Sequence, residues 1–234
     1  MDKHLVIIPT YNEIDNIKEL VPEILELPHD FHILVVDDNS PDGTGELVED
    51  MSLKHERINV LRRPWKEGLG KAYIAGFKWA LDKDYDTILQ MDADFSHLPD
   101  YLPRFIKKLN KHDLVIGSRC YNGRLSVVNW DIKRVLLSRL GTTYARLVTG
   151  VPMTDATAGF KGWRREVLEA IDLDKVLSEG YSFQIEMNWR AKQAGANIGE
   201  MPIIFFDRRH GESKMNASIV KEALWILWKI KIKK

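Results

Sequence analysis

Apolar positions in the first half of the chain follow two alternating patterns. Short continuous runs at residues 5–8, 33–36, 58–61, 87–91 and 114–116 read as buried strands. Between the first two, Ile14, Ile17, Leu20, Val21, Ile24 and Leu27 recur at helical spacing, with Asn12 or Asn16 as the expected cap. Pro22 interrupts this pattern and predicts a kink or a late helix start. Further helices are predicted over 70–81 and 102–109. Such alternation predicts an α/β fold, with a mostly parallel, doubly wound sheet flanked by helices. The second half is less regular. It reads as a helix over 132–148, a short strand over 159–163, a helix over 183–194 and an extended segment over 197–206 containing Pro202. With no low-complexity linker and no internal repeat, one domain is expected over residues 1–217, followed by an amphipathic basic tail over 218–234.

Composition narrows the function classes. The 234 residues are 44% hydrophobic and 29% charged, which is ordinary for a globular protein. Lys plus Arg and Asp plus Glu both number 34, so no overall basic field favours a nucleic-acid partner. Cys120 is the single cysteine, which excludes an internal disulfide and a cysteine-based zinc site and suits a reducing cytosol. The opening segment breaks at Pro9 and reads as a first strand rather than a signal peptide. No window approaches the ~20 apolar residues of a membrane-spanning helix.

The residues that follow the predicted strands carry the chemistry. The run 87–91 leads directly into Asp92-Ala93-Asp94. Carboxylates at i and i+2 after a strand present hard oxygen ligands at the sheet's carboxyl edge, where open α/β sheets bind ligands. Such a pair suits Mg2+ or Mn2+, which in turn holds phosphate oxygens. Alone, an Asp-x-Asp reads as two solvated turn residues. The other strands change that reading. Pro9-Thr10-Tyr11-Asn12-Glu13 follows the first, Asp37-Asp38 the second, and Gly117-Ser118-Arg119 the fifth. Turn chemistry explains Asn39, Ser40, Pro41, Asp42 and Gly43. It does not explain acidic and aromatic residues at the ends of several strands on one edge. Tyr11 can support a flat ring and Asp38 can accept a base N–H, the layout of a nucleotide-diphosphate site. Gly68-x-Gly70-Lys71 lacks the spacing of a phosphate loop and reads as a helix start. His97 is expected to order the loop after the carboxylates, and Trp130, Trp163 and Trp189 to pack.

The segments PTYNE, VVDDNSPDGT, DADFSHLP, GSR, TDATAGFKGWRREVL, GYSFQIEM and DRRHGESKM occur in this order from about residue 6 to about residue 216. Together they resemble the family 2 glycosyltransferases of GT-A fold, and more narrowly the dolichol- or polyprenol-phosphate mannose synthases. The resemblance implies that Pro9, Tyr11, Glu13, Val36 and Asp38 line a nucleoside pocket, with Asp37 buttressing the loop. It implies that Asp92, Ala93 and Asp94 meet ribose, diphosphate and metal, with Ser96 an extra ligand. Arg119, Arg208 and Lys214 would face phosphates, the last two from a loop that closes over the donor. The implied donor is GDP-mannose and the implied acceptor a polyprenyl or dolichyl phosphate. The enzyme would then work peripherally at the cytoplasmic membrane face, with an integral-membrane partner as a further possibility.

Two regions keep alternatives open. Arg134 and Ser138 share a face of the helix predicted over 132–148. From spacing alone this is a solvated face with Lys133 and Arg139 beside it; the resemblance makes it, with Arg119, a pocket for the acceptor phosphate. The tail carries Trp225, Trp228, Lys231, Lys233 and Lys234, which suit a membrane surface, or a helix packed on the domain with a frayed basic end. Rival functions are the same fold with another donor such as UDP-glucose, a metal-dependent phosphohydrolase, and a non-catalytic sugar-nucleotide-binding module.

Overall fold

The computed structural model describes residues 2–207. Arg208, Lys214 and the tail 218–234 therefore lie outside the described residues. In chain order the elements are β1 (His4–Thr10), α1 (Ile14–Leu25), β2 (Phe31–Asp37), α2 (Thr44–Lys54), β3 (Ile58–Arg62), α3 (Leu69–Leu81) and β4 (Thr87–Gln90). They continue with α4 (Leu102–Leu109), β5 (Leu114–Ser118), β6 (Cys120–Tyr121), β7 (Arg124–Leu125), β8 (Val127–Val128) and α5 (Ile132–Thr149). The last are β9 (Lys161–Arg164), α6 (Arg165–Ala170), α7 (Gly180–Gln193), β10 (Ile198–Pro202) and β11 (Phe205–Phe206).

Seven strands form the central sheet in the order β10-β5-β9-β4-β1-β2-β3. All are parallel except β9, which runs antiparallel between β4 and β5. The strands are continuous apolar runs because both faces are covered. On one face Leu5, Ile7, Leu34, Val36, Leu114 and Ile116 pack with α3, α5, α6 and α7. On the other, Val6, Ile8, Ile33, Val35, Leu89 and Val115 pack with α1, α2 and α4. Each such aliphatic side chain contributes about 1.5–3 kcal/mol on burial.

Helix α1 differs from expectation at its start. It begins at Ile14 and runs through Pro22, which lies on the exposed face, where water can replace the missing donor. Neither Asn12 nor Asn16 caps it. The Ile14 amide instead donates to Asp42 Oδ2 at 3.1 Å, across from the next loop. The other oxygen of Asp42 accepts from the Thr44 amide at 3.0 Å and the Thr44 hydroxyl at 2.6 Å. One carboxylate thus serves the starts of both α1 and α2. Helix α2 itself was not legible because only Thr44, Gly45 and Val48 are buried, too few for an apolar stripe. Helix α3 starts at Leu69, as the glycine pattern predicts; a Cβ on Gly70 would lie 2.9 Å from the Ser178 carbonyl, so glycine permits that close approach.

Candidate active site

The parallel strands β1, β2, β4 and β5 end at one edge of the sheet, and the segments that follow them enclose a cleft of about 430 Å³. Pro9, Tyr11, Glu13 and Asp38 line one end, and Asp92, Ala93, Asp94 and Ser96 line the floor. Arg119 and Arg134 line the other end.

At the first end, Asp37 is fully buried and works as a brace. Its carboxylate accepts from the Ser40 amide at 3.0 Å, the Ser40 hydroxyl at 2.5 Å and the Thr10 hydroxyl at 3.0 Å. Asp38 faces the cleft, and its Oδ1 accepts from Arg63 Nη1 at 2.6 Å. Burial pushes the Asp38 carboxyl up, while Arg63 opposes the shift. Lys66 sits 3.6 Å from the centroid of the Tyr11 ring. Arg62 and Arg63 are both taken up by carboxylates, Arg62 by Asp37, Glu46 and Glu49, and Arg63 by Asp38 and Glu67.

The two carboxylates on the floor are held in different ways. Asp92 Oδ1 accepts from the Tyr73 hydroxyl at 3.2 Å. Burial, then Asp92, push the Tyr73 hydroxyl well above its usual range, so it stays a donor. The Asp92 amide donates to His97 Nδ1 at 3.2 Å, which places the imidazole proton on Nε2. Burial holds His97 below the usual imidazole range, although Asp92 and Asp94 oppose this. His97 also stacks on Phe160 at 4.7 Å, so it orders the loop as expected. Asp94 Oδ1 accepts from the Ser96 amide at 3.1 Å and from its hydroxyl at 2.5 Å. With its proton on Asp94, Ser96 can meet a cation only through its oxygen lone pairs.

At the far end, Arg119 makes a bidentate pair with Asp155, Nε to Oδ2 and Nη2 to Oδ1, both at 2.6 Å. Nη2 also donates to the Thr157 hydroxyl at 2.8 Å. Burial alone would raise the Asp155 carboxyl, but Arg119 holds it below the usual range. Two cations approach the Trp130 ring, Arg119 at 5.1 Å and Arg134 at 4.2 Å from its centroid. Arg134 Nη1 donates to Asp207 Oδ1 at 3.0 Å.

Among the described residues, two expected site residues are not brought to the cleft. The side chain of Val36 is fully buried in the core with Ile7 and α3 because it lies within the strand, whereas Asp38 follows the strand end and reaches the cleft. Ser138 borders a separate cavity of about 10 Å³ with Trp130, Thr142 and Asp155. Sequence reasoning missed the roles of Asp155, Tyr73 and Gln184. Asp155 lies in the quoted segment TDATAGF but pairs with a residue 36 positions away, so no local spacing exposes it. Tyr73 and Gln184 sit inside ordinary helical patterns. Among the described residues, no group of three or more His, Cys, Asp or Glu forms a ready-made metal site, and no helix is long and apolar enough to cross a membrane.

Solved structures share this architecture. A glucosyl-3-phosphoglycerate synthase from Mycobacterium tuberculosis, in complex with Mn2+, UDP and phosphoglyceric acid, aligns with a TM-score of 0.69 at 15% identity, covering 98% of this chain and 78% of that one. The mannosyltransferase PcManGT from Pyrobaculum calidifontis, in complex with GDP-Man and Mn2+, aligns with a TM-score of 0.60 at 15% identity, covering 98% of this chain and 73% of that one. At that identity the likeness concerns the fold, which is GT-A. Sequence relatives are closer. The chain is 45% identical over 220 residues to the undecaprenyl-phosphate mannosyltransferase of Micrococcus luteus, covering 94% of this chain and 90% of that protein. It is 47% identical over 223 residues to the polyprenol monophosphomannose synthase of Mycolicibacterium smegmatis, covering 94% and 84%. Residues 5–172 match the family described as glycosyl transferase family 2, and the chain belongs to that family.

Proposed function

We propose that the protein is an inverting glycosyltransferase that moves mannose from GDP-mannose to the phosphate of a polyprenol. The observation that carries this reading is one cleft with Tyr11 and Asp38 at one end, two carboxylates on its floor and two arginines at the other end. The names of the two sequence relatives support the same acceptor and sugar.

In this reading Tyr11 supports the base and Asp38, held by Arg63, accepts its N–H. Pro9, Glu13 and Ala93 complete the nucleoside wall. Asp92 and Asp94 fit a divalent cation, either Mg2+ or Mn2+, because both carboxylates are already oriented by Tyr73 and Ser96 and offer only hard oxygens. A cation held there would supply charge to stabilise the departing diphosphate. Outside the described residues, Arg208 and Lys214 are assigned to the same diphosphate.

The acceptor phosphate is anionic at neutral pH, since its second pKa is about 6. A strong general base is therefore unnecessary, and the arginines have to position an oxygen. Arg134 suits this task because its planar fork binds phosphate oxygens in pairs. Its present partner, Asp207, is half-exposed, so an entering phosphate can displace that carboxylate. Arg119 contributes positive potential while Asp155 fixes its plane. A lipid acceptor favours an enzyme that works peripherally at the cytoplasmic membrane face, and the basic, tryptophan-bearing sequence of 218–234 suits contact with such a surface. An integral-membrane partner is compatible with that placement.

The test is incubation of the purified protein with Mn2+, polyprenyl phosphate and either GDP-mannose or UDP-glucose. The reading expects a mannosyl lipid from the first mixture and far less product from the second. Release of free sugar or phosphate without a glycolipid would point to hydrolysis and contradict it.

A further inference from the structure

Gln184 is 2% exposed and lines the cleft, yet neither end of its side-chain amide has a hydrogen-bond partner. Buried amides are normally satisfied, so an open one at a ligand site asks for a ligand. It lies about one turn inside α7, and its main-chain carbonyl accepts from Lys161 Nζ at 2.9 Å. Lys161 is fully buried on β9, so this bond ties the helix to the sheet while leaving the Gln184 amide uncommitted.

The opposite wall is Gly159. A methyl built there would lie 3.6 Å from Asp92 Oδ2, 3.6 Å from Gln184 Nε2 and 3.7 Å from His97 Cε1. Glycine therefore leaves a niche between the first floor carboxylate and the open amide. A sugar bonded to a diphosphate held at Asp92 and Asp94 has to lie beside this niche. The chemistry also favours a sugar. A primary amide both donates and accepts, as each sugar hydroxyl does, whereas a phosphate calls for cations, which Arg119 and Arg134 supply.

We propose that Gln184 reads a ring hydroxyl of the transferred sugar and so helps to set which hexose the enzyme accepts. This inference rests on the donor site described above. Calorimetry on the full chain with Mn2+ tests it, comparing GDP with GDP-mannose for wild type, Gln184→Leu and Gly159→Ala. Gln184→Leu removes the amide but keeps the main-chain bond to Lys161. It is expected to weaken GDP-mannose about tenfold while GDP stays within about twofold. Gly159→Ala makes only ordinary van der Waals contacts, fills the niche from the other side and is expected to show the same selective loss. With wild type, one deoxymannose analogue of the donor should bind about tenfold less well than GDP-mannose, and Gln184→Leu should erase that difference. Equal losses for GDP and GDP-mannose, or unchanged GDP-mannose affinity in both variants, would overturn the assignment alone. A wild-type protein that binds no nucleotide sugar would overturn the donor reading and this inference with it.

Discussion

At the nucleoside end of the cleft, the braces run between loops that directly follow neighbouring strands. Asp37 holds Thr10 and Ser40, Asp42 joins the starts of two helices, and Arg63 holds Asp38. At the cationic end the braces span 36 residues from Arg119 to Asp155 and 73 from Arg134 to Asp207. The first end combines carboxylates satisfied by hydroxyls and amides with the Arg63–Asp38 ion pair. The second consists of cations balanced by carboxylates around an aromatic ring. Loss of the Asp42 cap, whose donors are uncharged, therefore only loosens the loops of the first end, whereas loss of Asp155 leaves the buried Arg119 charge uncompensated at the second.

The floor between the two ends should give the largest effect. Asp94→Asn is expected to lower transfer by about two orders of magnitude or more and to weaken metal-dependent donor binding. Turnover above about a tenth of wild type would remove Asp94 from the metal role.

Asp155→Asn breaks the buried pair and is expected to cost about 3–5 kcal/mol in urea unfolding. The sign with pH follows from the depressed carboxyl. The contribution of Asp155 is fully present above its unfolded pKa of about 3.9 and is lost as pH falls through the lower folded value. The stability gap between wild type and variant should therefore narrow in acid. An equal gap at pH 3 and pH 7 would contradict the pairing.

The smallest effect belongs to the nucleoside end. Asp42→Ala removes the shared cap and is expected to cost about 1 kcal/mol by the same measurement. A cost as large as that of Asp155→Asn would erase the contrast between the two ends.

Much of the sheet was legible because fully buried parallel strands are continuous apolar runs, and the residues after them could be read off directly. The orientation of β9 was not, since its four residues, Lys161–Arg164, carry two charges, one aromatic and no pattern that fixes a direction. Asp42 was read as turn chemistry because its cap to Ile14 crosses 28 residues. Val36 and Ser138 show the limit of motif spacing. Two positions separate Val36 in the core from Asp38 at the cleft, and one helical turn separates Arg134 at the cleft from Ser138 at a separate cavity. Gln184 stayed hidden because a polar residue in a helical run looks solvated until its burial is known.

The division of labour in the cleft is tested most directly by Arg134→Ala, with donor affinity and transfer measured on the same preparation. Transfer to polyprenyl phosphate should fall about ten- to a hundredfold while GDP-mannose affinity stays nearly unchanged. Equal loss of donor binding, or undiminished transfer, would contradict the assignment of this end to the acceptor phosphate.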